Sequence, residues 1–281
     1  MATSPVVSVV VPVRDGAAVI DECLQAIASQ RGAPDFEVVV VDNGSTDATA
    51  DIVRRRHPDM RLVCEPQPGS YAARNTGILA AAGAILAFTD ADCTPQPGWL
   101  AAACAAIEAG ADLVGGGIAM HRSTRPTIAE RYDRAVYLRQ EDLVRQHGWA
   151  VTANLVVRRS VFDALGLFDP ALPSGGDREL CLRAGAAGFG LVYAPGAVVG
   201  HRPRTRMREI WRVNRRIGCG MRRRRPEHGR GNWWRNAELR QPLEWVVQCV
   251  AEDGPPLRRR RLAGVHAVAM AGRWIGLLTG R

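Results

Sequence analysis

A chain of 281 residues with 47% hydrophobic and 23% charged content is long and apolar enough to bury a large core, which excludes disorder over most of its length. Its seven cysteines (Cys23, Cys64, Cys93, Cys104, Cys181, Cys219 and Cys249) are odd in number and show no CxxC pair, which argues for reduced, packed thiols in a cytoplasmic protein over a disulfide or zinc framework. Lysine is absent, and the arginines are unevenly spread: residues 1–201 hold 17 against 22 acidic groups (net −5), whereas residues 202–281 hold 20 against 6 (net +14).

The first apolar run, "VVSVVVPV" (6–13), follows no basic region and breaks at Pro12, so it reads as a strand and not a signal peptide. Further strand-length runs follow at "FEVVVVD" (36–42), "MRLVCE" (60–65), "AILAFTD" (84–90) and "DLVGGGIAM" (112–120), separated by helical patterns at about 17–30, 46–56, 70–82 and 97–109. Continuous β-branched runs alternating with helices predict an α/β fold with a mainly parallel sheet covered on both faces. Beyond residue 120 the spacing predicts a long helical stretch (127–146), a short strand (152–159), a helix over "DRELCLRAGAAG" and an apolar run ending at His201. This reads as the second half of the same domain. The stretch 262–280 carries His266, Arg273 and many small residues, a poor composition for a spanning helix, though it suits a helix lying on a surface.

In parallel sheets ligands bind outside the carboxyl ends of the strands, and there the polar clusters fall: "RDG" (14–16), "DNGSTD" (42–47) and "DAD" (90–92). Asp42, after four valines, suits hydrogen bonding to a nucleobase or ribose, and Ser45 or Thr46 suits the N-cap of the next helix. If strand geometry persists, Asp90 and Asp92 point the same way about 6–7 Å apart, a repulsion of about 2–3 kcal/mol at an effective dielectric near 20. Solvent, an arginine or a divalent metal would relieve it. The helical segment "PGSYAARNTG" offers Gly69, Arg74 and Asn75, with Arg74 suited either to a pyrophosphate or to buttressing the aspartates. Asp177 and Glu179, after two glycines, fit either a general base or plain complement to a helix dipole. His201 fits a metal ligand or a structural histidine.

Taken in order, "VSVVVPVRD", "VVVVDNGSTD", "GSYAARNTGI", "AFTDADCTP", "TANLVVRRSVFDALGLFD" and "GGDRELCLRAGAAG" resemble the family 2 glycosyltransferases of the GT-A fold, over about residues 6–203. The resemblance implies a hexosyltransferase-type enzyme using a nucleoside-diphosphate sugar, with a UDP-sugar as the expected donor. Pro12, Arg14, Asp15, Asp42, Arg74, Asn75, Asp90 and Ala91 would line the donor site, with Pro12, Asp15 and Asp42 around the base and Arg74 near the diphosphate. Asp90 and Asp92 would form the Asp-x-Asp motif, with Asp92 and His201 holding Mn²⁺ or Mg²⁺. Asp177 matches the aspartate of the family's Glu-Asp pair and would deprotonate an acceptor hydroxyl for inverting transfer. The chain departs from the family pattern at "RDG", where Asn-Glu is usual, and at Gly176, where the glutamate is usual. Glu179 is therefore a rival base. The Gln-x-x-Arg-Trp motif of processive synthases is missing, which points to transfer of a single sugar.

These expectations divide the chain into a catalytic domain, 1–203 (donor side about 1–120, acceptor side about 121–203), and an Arg-rich, largely helical segment, 204–281. In that segment Trp211, Trp233, Trp234 and Trp245 interleave with arginine, which suits an anionic membrane surface at the inner face of the cell membrane or a lipid-linked acceptor. A glycan or small-molecule acceptor fits equally, and nucleic acid is not expected as a partner. The alternatives are a nucleotidyltransferase, or a nucleic-acid or membrane-binding protein acting through the basic segment.

Overall fold

The computed structural model describes residues 6–224, 243–252 and 259–280. In chain order the elements are β1 (Val7–Val13), α1 (Ile20–Ala28), β2 (Phe36–Asp42), α2 (Thr49–Arg56), β3 (Arg61–Cys64), α3 (Ser70–Ala80), β4 (Ile85–Phe88), β5 (Cys93–Pro95), α4 (Trp99–Glu108) and β6 (Leu113–Met120). There follow α5 (Ile128–Val136), α6 (Gln140–His147), β7 (Leu155–Arg158), α7 (Arg159–Leu165), α8 (Gly176–Ala186), β8 (Leu191–His201), α9 (Met207–Arg223), α10 (Leu243–Glu252) and α11 (Arg259–Thr279). They fall into two compact units. The first takes the residues up to Ala119 with Gln140–Ala171 and Gly176–His201, and the second takes Met120–Arg139, Leu172–Gly175 and the described residues from Arg202 onward.

The first unit is an α/β layer structure around a sheet of order β3-β2-β1-β4-β7-β6-β8-β5. Strands β3, β2, β1 and β4 run parallel, β7 is antiparallel to both β4 and β6, and β5 is antiparallel to β8. The parallel half therefore sits where the valine-rich runs predict it, and the second half turns the sheet mixed. Val9, Val10, Val11, Val39, Val40 and Val41 are fully buried, as strands with both faces covered require. Gly77 sets how closely α3 lies on them, since a Cβ there would stand 2.3 Å from Val10 Cγ1 and 3.1 Å from Val41 Cγ2. That close seat carries the first turns of α3 to the carboxyl ends of the strands.

The second unit packs α5 with α10 and α11 through Ala129, Tyr132, Val246, Val250, Leu262 and Val265. Helices α9 and α11 meet through glycine: a Cβ on Gly218 would stand 1.9 Å from the Arg273 carbonyl oxygen, and one on Gly276 1.9 Å from that of Arg215. Arg273 is buried and donates to Asn214 Oδ1 from Nε (3.1 Å) and Nη2 (2.6 Å). Helix α11 is long and apolar enough to cross a membrane by length and composition, although the sequence reading counts its composition as poor for that, and 44% of its apolar window is buried. Trp233 and Trp234 lie outside the described residues.

Three local expectations are corrected. The helical stretch 127–146 is two helices, broken where Leu138 takes a positive φ of 55°. The strand at 152–159 is shorter, because Thr152–Asn154 form a 3₁₀ turn before β7. Helix α2 starts at Thr49 after Ala48, which makes no side-chain cap, so neither Ser45 nor Thr46 is its N-cap.

Candidate active site

Register pairs Val13 with Asp42 at the ends of β1 and β2, so the turns "RDG" and "DNGSTD" leave the sheet side by side and interlock. Asp15 takes a left-handed φ of 50°, tolerated by aspartate better than by most residues. Its Oδ1 accepts from Thr46 N–H (2.8 Å) and Oγ1 (3.2 Å), while its own N–H donates to Ser45 Oγ (2.9 Å). Gly16 N–H donates to Thr49 Oγ1 (2.8 Å) and Ala17 N–H to Asp47 Oδ2 (3.0 Å). Of the two residues expected to cap α2, Ser45 thus accepts from the backbone of the neighbouring turn, and Thr46 donates to its Asp15 carboxylate. The Thr49 hydroxyl, and after it the Ala17 N–H, holds the Asp47 carboxyl below its ordinary value. Asp42 Oδ1 accepts from Ser45 N–H (2.9 Å), and Gly44 supplies the φ of +74° that this turn needs. Pro12 is half-buried within β1, and Arg14 is exposed with Nε 3.9 Å from Asp15 Oδ2.

Sequence reasoning missed Asn43. Its buried amide donates to the Glu65 (2.8 Å) and Gln67 (2.7 Å) carbonyls and accepts from Gly69 N–H (2.8 Å). That ties the end of β2 to the start of α3. An asparagine directly after a valine run and before glycine is the only signal for it.

Arg74, on the first turns of α3, is buried and forms an ion pair with Asp90. Its Nε is buried without a hydrogen-bond partner. Strand β4 ends at Phe88, and a turn closed by Cys93 N–H to the Asp90 carbonyl (3.0 Å) carries Asp90, the buried Ala91 and Asp92. The two aspartates therefore lie in a turn and not on a strand: Asp90 pairs with Arg74, and Asp92 has His201 beside it. Asn75, expected at the donor, spends its amide on Phe168, donating to its carbonyl (2.8 Å) and accepting from its N–H (3.1 Å).

Antiparallel pairing sets His201 of β8 opposite Cys93 of β5, which brings the buried imidazole Nε2 to 3.9 Å from Asp92 Oδ1. Among the described residues Asp92, Cys93 and His201 form a group whose ligand atoms all lie within 4.8 Å of one another. Burial, with the Asp90 and Asp92 charges adding to it, pushes the Cys93 thiol well up. A carboxylate with an imidazole is a donor set that suits Mn²⁺ better than Mg²⁺, which prefers oxygen alone. All seven cysteines are free thiols, and all but Cys64 are buried.

Asp177, at the start of α8, is 8% exposed. Its Oδ1 accepts from the Tyr71 hydroxyl (3.2 Å) and Arg178 N–H (2.9 Å), and its Oδ2 from Thr152 N–H (3.4 Å). Glu179, two residues further into the helix, is held by Arg183 at two points (2.7 and 3.1 Å). The same guanidinium binds the carbonyls of Leu165, Gly166 and Leu167. Of the two rival bases, Glu179 is tied into a structural clamp and Asp177 is not.

A parallel half with acidic turns at its strand ends, followed by a mixed second half, is the architecture of the GT-A glycosyltransferase fold. The chain belongs to glycosyl transferase family 2, whose family model matches residues 8–166. It is 40% identical over 224 residues to the glycosyltransferase AglE of Haloferax volcanii, covering 78% of this chain and 73% of that relative. It is 33% identical to the pre-mycofactocin glycosyltransferase of Mycobacterium tuberculosis over 72% of this chain, which spans 44% of that longer relative. Among solved structures, the mannosyltransferase PcManGT of Pyrobaculum calidifontis, in complex with GDP-Man and Mn²⁺, superposes with a TM-score of 0.64 at 20% identity, covering 99% of this chain and 87% of that one. TarS 1-349 of S. aureus in complex with UDP-GlcNAc gives 0.54 at 19% identity, with 97% and 90% covered. The nucleotidyltransferase alternative is thereby set aside.

Proposed function

We propose that this glycosyltransferase is a metal-dependent, inverting enzyme that moves one sugar from a UDP-sugar to an acceptor hydroxyl. The observation that carries the reading is the separation of the carboxylates by partner: Asp90 on Arg74, Asp92 beside His201, and Asp177 buried among neutral donors. In this reading the turns of Asp15 and Asp42 receive the base and ribose, with Pro12, Arg14 and Ala91 lining the site. Arg74, one donor of which has no partner, meets the diphosphate. Asp92 and His201 hold the metal, which when bound offsets charge on the departing nucleotide. Asp177 takes the proton from the acceptor hydroxyl as its oxygen attacks the anomeric carbon.

The catalytic role falls to residues 1–203. The C-terminal arginine-rich segment is assigned to an anionic membrane surface and a lipid-linked or envelope glycan acceptor, in a cytoplasmic enzyme held at the inner face of the cell membrane. Exposed Ile275 and Leu278 on α11 and the net +14 of residues 202–281 support this.

The test is a thermal-shift panel of UDP-sugars, GDP-mannose and the free diphosphates with Mn²⁺, Mg²⁺ or chelator, since a ligand that binds the folded state raises apparent stability. The expected result is a metal-dependent shift with uridine ligands that Asp92→Ala removes. A shift with GDP-mannose alone would overturn the nucleotide, and one that survives chelator would overturn the metal.

A further inference from the structure

Gly176, where the family pattern has glutamate, stands directly against Tyr71. A Cβ on residue 176 would lie 2.9 Å from Tyr71 Cε2 and Cζ and 3.0 Å from Cε1. The ring thus fills the space that any side chain at 176 would need. From that seat the Tyr71 hydroxyl donates to Asp177 Oδ1 (3.2 Å) and accepts from Asp177 N–H (3.4 Å).

The tyrosine is 5% exposed, and burial, with the Asp177 charge adding, pushes its phenol well above its ordinary value, so it stays a protonated donor throughout the working range. Phe168 stacks on the ring at 5.5 Å between centroids, and Phe168 is itself pinned by Asn75. The Arg74 guanidinium lies 5.5 Å from the ring centroid. Tyr71 and Arg74 are three residues apart on α3 and share its face. One helical turn therefore touches Asp90 at one end and Asp177 at the other.

We infer that Tyr71 is the positioning residue for Asp177, holding its carboxylate oxygen Oδ1 through the phenol hydroxyl. The inference rests on the reading of Asp177 as the base. The carboxylate otherwise has only backbone donors, Arg178 N–H on Oδ1 (2.9 Å) and a long Thr152 N–H on Oδ2 (3.4 Å), and the phenol adds the one side-chain contact that fixes its rotation.

Tyr71→Phe keeps the ring and removes only the hydroxyl, so it tests the contact without opening a cavity. Two readouts are needed. The first, urea unfolding of Tyr71→Phe, Asp177→Ala and the double variant, needs no donor: the expected result is a double variant that loses clearly less than the sum of the singles. Additive losses would overturn the positioning role while leaving Asp177 as base. The second is nucleoside-diphosphate release from UDP-GlcNAc and from GDP-mannose with Mn²⁺. Tyr71→Phe is expected to lower kcat about tenfold, with KM within about twofold. A kcat matching wild type would overturn the inference. Full turnover by Asp177→Asn would instead overturn the base, and the inference with it.

Discussion

Replacing Asp177 with asparagine separates chemistry from folding, because it keeps the side chain's shape and removes its charge. Oδ1 accepts from Tyr71 and Arg178 N–H, and an asparagine carbonyl accepts both. Oδ2 faces Thr152 N–H at 3.4 Å, where the amide NH₂ would meet a second donor. An unmet buried donor costs about 1–3 kcal/mol, and the length of this bond sets the loss near the low end, about 1 kcal/mol. Loss of a general base costs about 10²–10⁴-fold in rate, or about 3–5 kcal/mol of barrier. Asp177→Asn is therefore expected to fold, to bind donor with wild-type affinity, and to transfer at least about a hundredfold more slowly. Glu179→Gln reverses the pattern. It breaks a partly buried i,i+4 pair with Arg183, worth about 0.5–1 kcal/mol, and leaves turnover within a few fold. Nucleoside-diphosphate release with urea unfolding on the same preparations reads both quantities. Asp177→Asn turning over within about threefold of wild type, or Glu179→Gln losing a hundredfold, would refute the assignment.

Arg74→Met is expected to abolish the donor-dependent thermal shift and to cost about 1–2 kcal/mol. Stranding one partner of a buried pair costs more than that, but Asp90 is 34% exposed and water takes up part of the loss. Gly77→Ala places a Cβ 2.3 Å from Val10 Cγ1, and the overpacking lowers stability by about 1–3 kcal/mol, read as a lower urea midpoint. The Thr76 hydroxyl, and after it the Gln67 N–H, holds the Glu65 carboxyl below its ordinary value. A depressed carboxyl stabilises the fold above its unfolded value, about 4.3, and that contribution fades as pH falls through the lower folded value. The stability gap between wild type and Thr76→Val should accordingly be constant above about pH 6 and shrink toward pH 3, and a gap independent of pH would contradict the cause given.

Much of the donor-side architecture is legible in local pattern. Four-valine runs can only be strands covered on both faces, and acidic turns at their ends follow from where a parallel sheet opens. Other features are not local. The Asp90–Asp92 turn looks like strand because "AILAF" is apolar up to its edge, yet β4 stops at Phe88 once β7 pairs beside it. The serine and threonine of "DNGSTD" satisfy the usual preference for an N-cap, but the neighbouring "RDG" turn brings the Asp15 N–H to Ser45 and the Asp15 carboxylate to Thr46. Asn75 reads as a donor ligand within its motif, and only the fold brings the Phe168 backbone against its amide.

By itself the amino-acid sequence determined the order of the long apolar strands and helices in the first half, though not the short β5, together with the family and the residue types at the strand mouths, because these follow from periodicity and from short motifs. Tertiary structure alone decided the partners: Arg74 for Asp90, His201 for Asp92, and Tyr71 for Asp177. Those pairs join residues up to 109 positions apart, and a contact across such a span depends on strand register and helix seating, which no local stretch of sequence encodes.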